Sequence, residues 1–276
     1  MLDSNVNYIH IANVVHKAAP VPPRTRRSER REQTLKEVVD AALRLVDSSD
    51  FDGWTMQALA AELGFAVGAL YRYFPSKDAL LLAVQRRVLE QLSSDVSSAL
   101  AFVDDPRASL SLSALSLSAL SLSALSPQSH TLVRLLCAVG AYRALPGRRP
   151  PHFNMLARWL ADPRPLVDTA AAVQHVPALL ALFHPVALLF DDAVAAGALS
   201  PGHSERRVIA LWGALHGVLQ LNKMARFGLA AFDADALTDH LVRTLCLGWG
   251  ADPDALDQAS RRLQHLKVFS SVPEQT

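Results

Sequence analysis

The sequence of 276 residues has only two cysteines, Cys137 and Cys246. They lie far apart, and neither has a Cys or His at metal-ligand spacing, so a disulfide framework and a zinc site are not expected. Charge of one sign is lacking too. Lys and Arg number 27 against 26 Asp and Glu, a net charge of +1. Any surface for a polyanion must therefore be local. No apolar run suffices to span a bilayer, because the strongest, Val176 to Phe190, is interrupted by Pro177, His184 and Pro185. The first twenty residues lack an apolar core behind a basic end, so no signal peptide is expected. No stretch alternates apolar and polar residues, which excludes a sheet. Neither a Ser-His-Asp order nor a paired-carboxylate spacing stands out, so catalysis, a cofactor and a metal have no support. With half of the residues hydrophobic, these absences leave a cytoplasmic, all-α protein with a sizeable core and no membrane partner.

What is present is helical punctuation. Residues 1–28 hold Pro20, Pro22 and Pro23 and no sustained period, and read as a flexible arm. Its basic end runs through Arg24, Arg26, Arg27, Arg30 and Arg31, either a solvated tail or an arm that follows a DNA backbone. A helix from about Arg30 to Ser48 follows. Thr55 is an N-cap, and Met56, Leu59, Ala60 and Leu63 make one buried face. Gly64 ends that helix, Phe65 can plug the angle, and Val67, Leu70 and Phe74 give a second short helix its inner side. Pro75 stops it, and Ser76 caps a longer helix from Lys77 to about Leu100. Ser-Leu-Ser-Ala-Leu then occurs three times over 111–125. A five-residue step turns a helix by about 140° and spreads the leucines around all sides. Residues 111–126 read as a low-complexity insertion. Helices are expected again over 129–145, 152–160, 165–199 (kinked or divided by its prolines), 204–227, 234–249 and 254–265.

Two short helices joined through glycine form the helix-turn-helix pattern, whose second helix can enter the major groove. Alone the pattern is weak, since any helical hairpin imitates it. The full string is more specific. Through Ala41-Ala-Leu43, Gly53-Trp-Thr55, Leu59-Ala-Ala-Glu-Leu-Gly64 and Gly68-Ala-Leu-Tyr-Arg-Tyr-Phe-Pro-Ser-Lys77, the chain resembles the TetR family of transcriptional regulators. The resemblance covers about Glu32 to Val84. It implies a DNA-binding domain over 29–76 and a helical regulatory and dimerisation domain over 77–250, with a short helix and tail over 251–276. It also implies a homodimeric repressor on a palindromic double-stranded operator, released by a small, largely apolar effector. By position it assigns Thr55 and Gln57 to the approach to DNA, Val67, Gly68 and Ala69 to the base edges, and Tyr71, Tyr73 and Lys77 to phosphates. Ala66 departs from the family's usual Ser or Thr, Phe65 from a smaller aliphatic residue, and Tyr73 from a frequent His. Since Val67, Gly68 and Ala69 offer bases no side-chain hydrogen bonds, Gln57 and Arg72 are the candidates for polar readout.

Beyond the motif the sequence says less. Trp159, His175, His184, Trp212 and His216 stand among apolar residues, either as polar handles of a ligand pocket or as ordinary core aromatics and satisfied histidines. Gly213 and Gly217 lie four apart, permitting close helix approach within the chain or across a dimer. With Leu211, Leu215, Leu241 and Leu245 they form the expected seam. The alternative function is a small-molecule-binding or interaction protein whose helix-turn-helix is only structural; an all-α enzyme is a third reading.

Overall fold

The computed structural model describes residues 25–48, 54–105, 125–161 and 176–266. Among the described residues there are α-helices and short 3-10 turns and no strand. In chain order the helices are α1 (Arg26–Ser48), α2 (Met56–Glu62), α3 (Val67–Tyr71), α4 (Lys77–Asp104), α5 (Pro127–Arg143) and α6 (Leu145–Arg148). They continue with α7 (Pro150–Ala161), α8 (Val176–Ala195), α9 (Ser204–Gln220), α10 (Ala234–Gly248) and α11 (Pro253–Leu266). The division between two compact units falls within α1, after Val38. All features below except the first half of α1 belong to the second unit.

The first helix starts earlier than the period of its apolar residues suggests. Thr25 and Ser28 form a reciprocal cap. The Ser28 amide donates to Thr25 Oγ1 at 3.2 Å, and the Thr25 amide donates to Ser28 Oγ at 3.0 Å. That is the capping-box arrangement with Ser in place of Glu, and it puts Arg26 and Arg27 on helix rather than on a flexible arm. Arg24 and the remainder of the arm lie outside the described residues, as do Gly53 and almost all of the 111–126 repeat.

Local chemistry explains the other starts. Ser76 Oγ accepts the Ala79 amide at 3.0 Å and opens α4. Ser126 Oγ accepts the Ser129 amide at 3.1 Å, with Pro127 in the first turn of α5. Asp233 Oδ1 accepts the amides of Asp235 and Ala236 and opens α10. Pro185 is carried inside α8, which stays one helix over its described span. The helix expected over 204–227 is shorter: α9 ends at Gln220 and passes into a 3-10 segment, Leu221–Phe227.

Helix α5 is the centre of the helical core that follows the helix-turn-helix and packs against α4, α8 and α11. It therefore buries residues on several sides, including Leu132, Val133, Leu135 and Cys137. Helix α9 packs on α8 and α10. Arg134 pairs with Asp192 of α8 at 2.8 Å, and Arg143 pairs with Asp235 and Asp239 of α10 at 2.7 and 2.6 Å. The carboxylates are largely exposed, so these pairs orient helices more than they stabilise them. One close approach demands glycine. Gly250 has φ +90°, and a Cβ there would collide with Ser200 Oγ. No described helix is long and apolar enough to cross a membrane.

Candidate nucleic-acid interface and internal cavity

The helix-turn-helix is assembled from side chains that cap and side chains that bury. Thr55 Oγ1 accepts the Ala58 amide at 3.1 Å and fixes the start of α2. Met56, Leu59 and Ala60 are buried, while Gln57 faces solvent on the first turn. Gly64 has φ +67°, and the next amide, Phe65 N, returns to the Ala60 carbonyl at 2.8 Å. This closes the last turn of α2 in a left-handed conformation that favours glycine. Phe65, the next residue, is half-buried.

Helix α3 is anchored by buried Leu70, with Phe74 buried just beyond it. Its other sides face outward. Gly68 and Arg72 are exposed, Val67, Ala69 and Tyr73 are half-buried, and Tyr71 is 44% exposed. A Cβ at Gly68 would meet no atom within 4 Å, so nothing within the described protomer requires glycine there. Ala66 caps α3 without a side-chain hydrogen bond, the consequence of the missing hydroxyl.

Lys77 is placed differently from a free phosphate ligand. It is half-buried, its ammonium donates to the Trp54 carbonyl at 3.0 Å, and it lies 4.8 Å from the centroid of the Trp54 ring. Trp54 is itself 2% exposed. One ammonium hydrogen is thus engaged in tying the start of α4 to the start of α2, and two are left for other acceptors. Sequence reasoning missed Trp54 as this platform; its adjacency to the Thr55 cap was the available signal.

A cavity of about 60 Å³ lies among α4, α5, α8 and α9. Helix α4 contributes Leu92 and Val96, α5 contributes Tyr142, and α8 contributes Phe183. Leu211, Trp212 and Leu215 of α9 complete this wall, and no charged side chain is among the lining residues. The Tyr142 hydroxyl lies 2.7 Å from Nδ1 of His216, which is 2% exposed and whose ring is tilted by 37° against the Phe153 ring at a centroid distance of 4.9 Å. Burial lowers the His216 pKa to about 4 and raises that of Tyr142, so both are neutral near pH 7. Nε2 of His216 is buried without a hydrogen-bond partner among the described residues, the Trp212 indole N–H interacts with the Tyr142 hydroxyl, and His216 itself is not among the residues that line the cavity. Tyr142 was missed from sequence, although a lone phenol on an otherwise apolar helix was a usable signal.

Several expectations are corrected. His184 is exposed on α8, on the face that carries exposed Leu180 and Leu188, and does not line the cavity. Trp159 is half-buried on α7 and does not line the cavity. His175 lies outside the described residues. Leu211 and Leu215 are buried at 5% and 3% and line the cavity, so they cannot form an outward seam. The reason is geometric: residues two apart on a helix point about 200° apart, so Leu211 and Leu215 oppose Gly213. Gly213 and Gly217 are exposed, and a Cβ on either would meet no atom within 4 Å. Tight packing within the described protomer therefore does not account for them. Leu241 and Leu245 are half-buried on α10.

Residues 38–84 match the family model described as bacterial regulatory proteins, tetR family, and residues 135–245 match that of a tetracyclin repressor-like C-terminal domain. The chain belongs to the TetR family. TetR-family proteins are transcriptional regulators rather than enzymes. Among relatives, the HTH-type transcriptional repressor KstR of Mycolicibacterium smegmatis is 35% identical over 72 residues, 26% of this chain and 35% of that protein. The regulator BetI of Burkholderia cenocepacia is 35% identical over 81 residues, 29% of this chain and 42% of its own length. The chain thus spans about a third of the length of the curated relatives it matches first. In fold it is similar to a protein of unknown function from Rhodococcus, with a TM-score of 0.56 at 17% identity, covering 79% of this chain and 95% of that one. SmeT, the repressor of the Stenotrophomonas maltophilia multidrug efflux pump SmeDEF, gives a TM-score of 0.52 at 14% identity, covering 80% and 92%. These two likenesses speak for the fold alone.

Proposed function

We propose that this TetR-family chain is a ligand-responsive repressor that binds a palindromic DNA operator as a homodimer. The observation that carries the reading is the outer side of α3, where open Gly68 lies beside exposed Tyr71 and Arg72. A thin helix face can approach base edges closely, and a rim of hydroxyl and guanidinium donors can hold phosphates. Tyr71 and Tyr73 act on the backbone, Gln57 and Arg72 read base edges, and Lys77 adds charge while bracing Trp54. Two copies of α3 would enter successive major grooves about 34 Å apart. The exposed row Ile209, Gly213 and Gly217 of α9, with Leu241 and Leu245 of α10, forms the dimer seam.

Release of DNA follows from the placement of α4. Its first residue is tied to Trp54, and its Leu92 and Val96 line the cavity. At 1.5 Å per residue these points lie roughly 22–29 Å apart along one helix. An effector that enlarges the cavity displaces that wall and tilts α4, favouring a state whose recognition helices no longer fit the operator. It can do so only by binding that state more tightly.

The test is selection of bound sequences from random DNA with the purified protein, followed by titration of the selected site. A two-fold symmetric sequence is expected to emerge. Tyr71→Ala is expected to weaken it by about 1.5–3 kcal/mol, a charge-assisted hydrogen bond to phosphate, with unfolding unchanged. Enrichment of no sequence would leave the helix-turn-helix as a structural element of a small-molecule-binding protein.

A further inference from the structure

Trp54 and Lys77 stand 23 positions apart and meet twice. The Lys77 ammonium donates to the Trp54 carbonyl at 3.0 Å and lies 4.8 Å from the centroid of the Trp54 ring. An ammonium within about 6 Å of an aromatic ring is attracted by its π electrons, and indole attracts it best. The ring is a fixed platform, because Trp54 is 2% exposed. The backbone beside each partner is fixed as well: Thr55 Oγ1 caps α2 and Ser76 Oγ caps α4. Both contacts to the ammonium are neutral. Arg44 of α1 faces Glu62 at 3.1 Å and Arg87 of α4 faces Asp40 at 3.6 Å, but Lys77 has no ion pair among the described residues. It keeps its whole charge and two ammonium hydrogens. A lysine side chain otherwise has much rotamer freedom, and ordering it on an acceptor opposes binding.

We infer that Trp54 is a positioning residue for DNA: its ring and carbonyl hold the Lys77 ammonium, ordered and uncompensated, for one backbone phosphate where α2 and α4 begin. The inference rests on reading α2 and α3 as the operator-binding element. Trp54 touches no DNA and acts through Lys77. Its ring lowers the entropy lost when the ammonium meets the phosphate, and its neutrality leaves the attraction at full strength. Packing alone would make a different demand. If Trp54 only fills the interior and Lys77 only braces it, operator affinity is indifferent to the electron density of the ring. If the ring competes with the phosphate for the ammonium, a poorer ring strengthens DNA binding.

The test uses the full-length protein and the operator selected from random DNA. Trp54 is replaced, by site-specific incorporation, with tryptophans carrying increasing numbers of ring fluorines. Fluorine withdraws electron density from the ring and alters its size little, so the series keeps the buried volume that Trp54→Leu would empty. Operator affinity is expected to fall stepwise, by about three- to tenfold over the series. The slope of affinity against salt should move toward that of Lys77→Met, which is expected to be shallower by about one. In the Lys77→Met background the same series should leave affinity unchanged. Urea unfolding of each protein, measured alongside, reads the fold separately. Affinity that stays constant along the series, affinity that rises, or an equal fall in Lys77→Met overturns the inference. An operator bound alike by every member of the series leaves the DNA-binding reading standing and removes the role of Trp54. A protein that selects no sequence removes that reading and the inference with it.

Discussion

Replacing Gly213 and Gly217 together by alanine should strengthen the single chain and weaken the proposed dimer. A glycine inside a helix is about 1 kcal/mol less favourable than alanine, so the pair withholds roughly 2 kcal/mol from α9. Nothing described within the protomer offsets that loss, because a Cβ at either position meets no atom within 4 Å. The offset must come from outside, and the neighbouring exposed side chain on the same face, Ile209, is apolar. If the partner's backbone approaches there, two added methyl groups overpack the seam at a cost of about 1–3 kcal/mol each. The dimerisation constant then falls by tenfold or more. Sedimentation equilibrium reads the dimer, and urea unfolding at concentrations below the dissociation constant reads the protomer. The expected result is weaker association with a higher unfolding midpoint. Unchanged association in Gly213→Leu/Gly217→Leu would refute the reasoning, since a leucine pair cannot be hidden in a close helix crossing; the seam would then lie on another face.

Two other outcomes follow from single residues. Gly68→Leu should leave folding intact, as its side chain enters open space, yet reduce operator affinity by at least tenfold if α3 faces the groove; undiminished affinity would take this face off the DNA. The depressed pKa of His216, about 4 against the ordinary 6.5, makes stability depend on pH. The unfolded chain binds a proton below 6.5 that the folded chain refuses until about 4, so stability is full above 6.5 and falls as pH drops toward 4. Between pH 7 and 5 the loss is roughly 2 kcal/mol. Denaturant titrations of the protein and of His216→Phe should diverge across that window, and parallel curves would mean that His216 is not held neutral.

The order of residues along the chain determined the helix-turn-helix almost completely. Each step there is local: a hydroxyl at Thr55 for an orphan amide, a glycine at 64 for a left-handed turn, proline at 75 to stop, Ser76 to start again. The same local chemistry announces α4, α5 and α10, and the Thr25–Ser28 cap was readable in the same way. Only the tertiary structure decided what depends on the rotation of each helix against its neighbours. The period of α9 separates Leu211 and Leu215 from Gly213, but packing on α8 and α10 determines which side is inside. The same rotation turns His184 outward on α8 and brings His216 and Tyr142, 74 positions apart, within hydrogen-bonding distance. Trp54 and Lys77 likewise meet only because the motif folds back between them. Capping and turn chemistry involve atoms within a few residues and are written in the chain. Cavities and polar contacts between distant helices arise from packing, which no single segment specifies.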